Sequence, residues 1–315
     1  MKIGTTGVVF NELTQVLLMQ RDDTRTWSPP GGALEAQELP TEGVAREVRE
    51  ETGLIVLPVR LVALYHIPSR VEPHLLFTFR CIQRGGELQP SAESPQVGWF
   101  PTRPFPRSVL GFQRRWVEQA FHHAGGAPTL ITENRGLGHR LGWFLMRNVV
   151  YRYKDWQLAR RGLPPFQPAP SWQIGASVVV QNEAGQVLWV KRTDMDVWNL
   201  PGGGSENGES PWATAVRETH EETGLTVRLT ALTGVSIYEG HNQMTFTFTA
   251  VAEHGTLTTG PEAAAFAYFA PGEEPPNSVQ QHLNRVAAAR SFTGTTLFVR
   301  EAGPELIIGT PSSGI

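Results

Sequence analysis

Short apolar blocks separated by turn residues run along this chain, and they recur in the same order in its second half. Residues 8–20 read as two strands around an Asn11-Glu12 turn, and 178–191 read the same way around Asn182 to Gly185. Residues 75–81 and 244–251 are further strand candidates, completing a mixed sheet with helices packed on it, an α/β class. Between these strands, proline and glycine mark loops at 29–32 and 201–204, each followed by a helical pattern. Ser210-Pro211 is a strong helix start, a capping serine with proline at the first helical position; Leu39-Pro40 is its weaker counterpart. Thr52-Gly53 and Thr223-Gly224 end both helices with glycine beyond the last turn. Later helices are expected over 108–123 and 278–290, each leading to a closing segment from Thr129 or Thr296.

The recurrence is a duplication. Residues 3–54 align with 174–225 without a gap, and 25 of 52 positions are identical. Farther on the offset falls from 171 to 169, where Phe77-Thr78-Phe79 meets Phe246-Thr247-Phe248 and Trp99 meets Tyr268. A division follows into 1–136, a connecting segment 137–171, and 172–315. In the connector, Leu141, Phe144, Leu145, Val149, Tyr153 and Trp156 fall at helical spacing, with six Arg and Lys on other positions and a Pro-rich linker after them. It reads as a docked helix with a solvated basic face; contact with RNA, anionic lipid or phosphate is the alternative.

Composition narrows the function. At 315 residues, 40% apolar and 18% charged, the chain has room for two globular cores. A net charge of −3 gives no global field for nucleic acid, and no helix-turn-helix DNA-binding motif is seen. No membrane span or leader-like start is present, so the cytoplasm is the expected compartment. The single cysteine, Cys81, excludes an internal disulfide or a cysteine-based zinc site.

The candidate chemistry lies in the duplicated loops and helices. Gly31-Gly32 leads, through Glu38, to Arg46-Glu47-Val48-Arg49-Glu50-Glu51-Thr52-Gly53; Gly202-Gly203 leads, through Glu209, to Arg217-Glu218-Thr219-His220-Glu221-Glu222-Thr223-Gly224. On a helix, Glu47, Glu50 and Glu51 share one face, as do Glu218, Glu221 and Glu222. Three carboxylates so close repel unless a cation joins them, and magnesium suits an all-oxygen set that also takes water and phosphate. Arg46 and Arg217 are placed to fix a carboxylate with a bidentate fork. A solvated acidic helix face predicts neither the glycine loop, the intermediate glutamate nor the second copy.

Both segments resemble the Nudix box, and the resemblance extends over nearly all of each repeat but not over 137–171. The second copy departs once, with Thr219 where an aliphatic residue is usual. The resemblance implies two tandem α/β/α sandwich domains with a mixed β-sheet. It implies hydrolysis of a nucleoside diphosphate linked to another group, with Mg2+ (or Mn2+) held by Glu47, Glu50 and Glu51 and by Glu218, Glu221 and Glu222. Gly31, Gly32, Gly202 and Gly203 would form the phosphate loops, with Glu38 and Glu209 bracing the loop–helix junctions. Family members often place another carboxylate on a distant loop, as metal ligand or general base; Glu93 and Glu262, related by the local offset of 169, are the candidates, with ordinary loop glutamates the alternative.

The default substrate is a nucleoside triphosphate, with ADP-ribose, nucleotide sugars or dinucleotides, or a non-catalytic nucleotide sensor, as alternatives. The partner is thus a small nucleotide, and the chain is a monomer with an internal pseudo-dimer or a homodimer. Trp27 and Trp198 read as packed beneath the loops, with base stacking the alternative. Arg21 and Arg192 suit either a phosphate or an ion pair. Tyr65, Tyr238, Phe77 and Phe246 suit either core or a base pocket, and Cys81 a buried core position.

Overall fold

The computed structural model describes residues 1–69, 72–134, 160, 169–261 and 263–302. Apart from Arg160 and residues 169–171, the connector lies outside the described residues, and so does Glu262.

The first half runs β1 (Lys2–Val9), β2 (Val16–Gln20), β3 (Trp27–Ser28), β4 (Gly31–Ala33), α1 (Pro40–Thr52), β5 (Leu54–Ile67), β6 (His74–Gly86), β7 (Gln96–Phe100), α2 (Gly111–His122) and β8 (Thr129–Thr132). The second half repeats it as β9 (Gln173–Gln181), β10 (Val187–Arg192), β11 (Trp198–Asn199), β12 (Gly202–Gly204), α3 (Pro211–Thr223), β13 (Leu225–Tyr238), β14 (Gln243–Gly255), β15 (Ala263–Phe269), α4 (Gln280–Arg290) and β16 (Leu297–Glu301). One sheet is ordered β4-β1-β6-β5-β8 and a smaller one β3-β2-β7; the second half joins their equivalents through a single Val187–Gln181 pair. The sheets are mixed: β1–β6 and β5–β8 pair in parallel, β5–β6 antiparallel. Among the described residues, no helix is long and apolar enough to cross a membrane.

The change of offset has a simple origin. Six residues, 68–73, connect β5 to β6, whereas four, 239–242, connect β13 to β14. Strand registers on either side are otherwise matched: Leu17 pairs with Trp99 as Leu188 pairs with Tyr268.

The glycine segments expected as loops contain short strands. Gly31 and Gly32 pair with Thr6 and Thr5 of β1, as Gly202 and Gly203 pair with Ser177 and Ala176 of β9. The lack of a side chain lets the backbones meet: at φ 155° a Cβ on Gly31 would collide with the Thr5 carbonyl oxygen.

Each box helix lies on its sheet with compensating volumes. A Cβ on Gly7 would sit 2.7 Å from Val48 and 3.0 Å from Val44, so α1 rests directly on that glycine. In the second half Val178 replaces Gly7, and Ala215 and Thr219 replace the two valines. The total volume is conserved, as close packing requires. Thr219 is fully buried, and its hydroxyl donates to the Ala215 carbonyl at 2.7 Å.

The two halves share one core. Phe77 and Phe79 of β6 meet Phe246 of β14 and Phe298 of β16, and one buried cluster includes Ile3, Phe77, Trp172 and Phe246. Phe77 and Phe246 are therefore interfacial core, not lining of a base pocket. Met1 and its equivalent Trp172 exchange two backbone hydrogen bonds, both 2.8 Å. Gln37 N–H donates to Asn242 Oδ1 at 3.0 Å, while Gly240 N–H donates back to Gln37 Oε1 at 3.1 Å. The Met1–Trp172 exchange joins equivalent residues to each other, the mark of a two-fold, and here the chain builds it internally.

Candidate active site

The helix caps place the carboxylates. Ser210 Oγ accepts from Ala213 N–H at 3.2 Å, whereas Leu39 offers no side chain and its own N–H donates to Glu42 Oε2 at 3.0 Å. Gly53 and Gly224 stop the helices in the left-handed conformation, at φ 76° and 77°.

The three carboxylates of each trio have different surroundings. Glu51 is only 6% exposed, and its Oε2 accepts from Gly31 N–H at 2.7 Å; Glu222 accepts from Gly202 N–H at 3.0 Å. Glu47 lies flat over Gly32, where a Cβ would come within 2.5 Å of its Oε1, and Glu218 lies over Gly203 in the same way. Glu50 and Glu221, one turn on from Glu47 and Glu218, keep roughly half their side chains in solvent.

One arginine organises each set. Arg46 forks onto Glu38 at 2.8 and 2.9 Å, and its Nη1 donates to both Glu47 (2.9 Å) and Glu50 (3.1 Å). Nη2 also reaches the Ala33 carbonyl at 3.1 Å. Arg217 makes the same five bonds, to Glu209, Glu218, Glu221 and the Gly204 carbonyl, at 2.8–3.0 Å. The bidentate partner is thus Glu38 or Glu209. These two glutamates tie the loop to the helix, since Glu38 also accepts from Glu35 N–H at 2.9 Å.

Electrostatics mark Glu51 and Glu47. Burial pushes the Glu51 carboxyl up to about 8, against the Gly31 hydrogen bond, with the Glu47 and Glu93 charges adding to the rise. Glu47 is raised by burial too, opposed by Arg46 and reinforced by Glu50 and Glu93. Glu93 is exposed on the loop before β7, yet its charge acts on both of these carboxyls. Glu209 is burdened by burial but held below the ordinary carboxylate range by the Arg217 fork and the Glu206 N–H.

Among the described residues, no three acidic, His or Cys side chains are already gathered as a ligand set. Glu47 and Glu50 are instead joined by Arg46 Nη1. The donors nonetheless suit a hard divalent cation: all are carboxylate oxygens, with Glu51 buried and Glu47 largely so.

The remaining candidates sort by contact. Arg21 and Arg192 fork onto Asp23 and Asp194, both as ion pairs within a turn. Trp27 packs on Phe100 at 4.5 Å and Trp198 on Phe269 at 5.6 Å. Cys81 is buried in the core, and burial raises its thiol pKa. Tyr65 is buried against Trp116 and bonded to Gln119. Tyr238 alone of the strand aromatics borders a large cavity, about 630 Å3, which opens beside the second glycine loop. Ser177, Asn199, His282 and Arg285 also line it, and sequence reasoning passed over all four. The available signal was in α4, whose buried face carries Gln281, His282 and Arg285 in place of apolar residues.

Comparison with known proteins follows this geometry. The family model described as the NUDIX domain matches twice, over residues 2–119 and 171–289. A MutT-like protein of Streptomyces ambofaciens is 42% identical over 98 residues, 31% of this chain and 62% of that protein. The 8-oxo-dGDP phosphatase NUDT18 of Mus musculus is 36% identical over 102 residues, 30% of this chain and 31% of that one. An RNA pyrophosphohydrolase of Pseudoalteromonas translucida is 40% identical over 57 residues, 18% of this chain and 33% of that one. The chain thus spans less than two thirds of the length of these relatives. With two matches that together cover most of its length, each containing the arginine-clamped carboxylate trio, the chain belongs to the NUDIX domain family.

Proposed function

We propose that the chain is a divalent-metal-dependent pyrophosphohydrolase acting on nucleoside diphosphates linked to another group, with nucleoside triphosphates as the default substrate. The observation that carries this reading is the repeated constellation in which a loop N–H holds one buried glutamate and an arginine holds the other two. Names of two relatives, an 8-oxo-dGDP phosphatase and an RNA pyrophosphohydrolase, support nucleotide anhydrides as the substrate class.

In this reading Glu47, Glu50 and Glu51, and in the second half Glu218, Glu221 and Glu222, hold Mg2+ or Mn2+. When bound, such an ion lowers the pKa of a water and screens phosphate charge. Gly31 and Gly202 orient the innermost carboxylate through their N–H groups. Arg46 and Arg217 hold the outer pair and keep the loop seated through Glu38 and Glu209. Glu93 accepts the proton of the attacking water at its carboxylate, and Glu262 is assigned the same part in the second half. Residues 1–136 and 172–315 act as the two catalytic units, with 137–171 between them.

Phosphate release, with pyrophosphatase and phosphatase as coupling enzymes, tests this across nucleoside triphosphates, ADP-ribose, NADH, nucleotide sugars and diadenosine polyphosphates. Turnover that requires Mg2+ and stops with a chelator is expected. Absence of turnover on the whole panel would favour a nucleotide sensor.

A further inference from the structure

The two halves also differ outside their matching boxes. We propose that the second half alone carries the recognition site for the nucleoside: its cavity takes an uncharged base presenting a carbonyl oxygen beside a ring N–H, while Trp116 fills the corresponding space in the first half. The site's place beside a phosphate loop rests on the hydrolase reading; its ligand chemistry does not.

The cavity has the volume of a small-molecule site, about 630 Å3, and runs from Gly202 and Gly203 to Arg285. Three residues that line it each carry a buried polar atom with no hydrogen-bond partner among the described residues: Ser177 Oγ, Asn199 Oδ1 and Arg285 Nε. Ser177 is 3% exposed and Arg285 6%. Buried groups are almost always paired, so three orphans on one wall point to a ligand that pairs them.

The rest of the wall is pre-set. His282 Nδ1 accepts from Leu200 N–H at 2.8 Å, which puts the ring proton on Nε2. Arg285 Nη2 donates to Tyr238 Oη at 2.9 Å and Glu301 Oε2 at 2.7 Å. With Glu301 balancing its charge, Arg285 has no need of an anion, and its remaining Nε–H calls for a neutral acceptor. A carbonyl oxygen on a base supplies that acceptor, and an adjacent ring N–H meets the Asn199 oxygen. Guanine and uracil have such an edge; adenine and cytosine lack the carbonyl-and-N–H pair.

The first half differs at the same positions. Thr6, equivalent to Ser177, donates to the Pro30 carbonyl at 3.1 Å, and Ser28, equivalent to Asn199, contacts Met19 Sδ at 3.7 Å. Trp116 stands where Arg285 does, at the sixth position of its helix. It is 8% exposed and packs on Tyr65 and Phe112, at 6.0 and 5.1 Å. The first half contributes Met1 and Pro73 to the cavity of the second instead. Its role in recognition is to help enclose the site of its twin.

Calorimetric titration of the whole chain with GMP, UMP and AMP tests the proposal. One GMP site per chain is expected, with AMP at least tenfold weaker. Asn199→Ala, Ser177→Ala and Arg285→Lys should each weaken GMP at least tenfold, and Ser28→Ala should leave it unchanged. Arg285→Lys retains the cation opposite Glu301; should it fail to fold, the two alanine variants decide alone. Two equal sites, no GMP binding, AMP bound as well as GMP, or affinity indifferent to the cavity variants would overturn the inference. Turnover assayed in parallel separates the two readings. Hydrolysis with no cavity-dependent binding sinks this inference alone, and cavity-dependent GMP binding without hydrolysis of any nucleotide sinks only the hydrolase.

Discussion

Phe77 and Phe246, equivalent residues of the two halves, stack on each other with ring centroids 5.9 Å apart and planes 22° from parallel. Both are fully buried, and the cluster around them draws on both halves. Truncating one leaves a cavity that neither half can close alone. Phe246→Ala should therefore destabilise the whole chain by about 3–5 kcal/mol. Urea unfolding should remain a single transition when followed by fluorescence and by circular dichroism. Two separated transitions in the wild-type chain would show that the shared core does not couple the halves.

Arg46 and Arg217 each serve three glutamates with one planar fork. Lysine keeps the charge but cannot make the bidentate bond to Glu38 or Glu209 while also reaching the helix carboxylates. Arg46→Lys and Arg217→Lys together should lower kcat by about 10- to 100-fold, in line with losses from disturbing the support of metal ligands. A kcat within twofold of wild type would show that the clamp is not needed.

His66 is buried against Trp212 of the other half, 6.0 Å between ring centroids, and burial lowers its pKa to about 4. Folded chains thus keep the ring neutral at pH values where unfolded chains protonate it. The stabilisation is complete above about 6.5 and drains away as pH falls through 6.5 toward 4, amounting to roughly 1–3 kcal/mol. Replacing His66 by Gln should flatten the fall in stability across that window. An unchanged acid limb in urea titrations would assign the loss to other groups.

Glu93 is exposed, but its charge reaches Glu47 and Glu51. In the proposed role of proton acceptor it should be required for rate more than for binding. Glu93→Gln should cut the turnover of a substrate confined to the first half by well over fivefold, with KM little changed. A smaller loss would leave Glu93 an ordinary loop residue.

The box, the duplication and most elements were legible because identical residues at fixed spacing report identical backbone. The short strands at Gly31 and Gly202 were not, since proline and glycine look like turn formers whether or not their backbone pairs. Phe77 and Phe246 read as strand aromatics, but alternation along a strand does not say that two copies face each other. Ser177, Asn199 and Arg285 were missed for a related reason. Reading by duplication favours positions the halves share, and the proposed base site lies where they differ, with Asn199 and Arg285 in one half against Ser28 and Trp116 in the other. Thr219 was legible as a departure, while its compensation by Val178 in place of Gly7 required the packing.

The most direct test of the central claim is steady-state hydrolysis by the double variant Glu51→Gln, Glu222→Gln, with Mg2+ and the best substrate of the wild-type chain. Glutamine keeps an acceptor for Gly31 or Gly202 N–H but removes the charge, so the fold should persist with a thermal midpoint close to that of the wild type. Loss of about a thousandfold or more in kcat, with the fold intact, is the predicted result. Turnover near the wild-type rate in the same folded variant would contradict the account, because the chemistry would then lie outside both carboxylate trios.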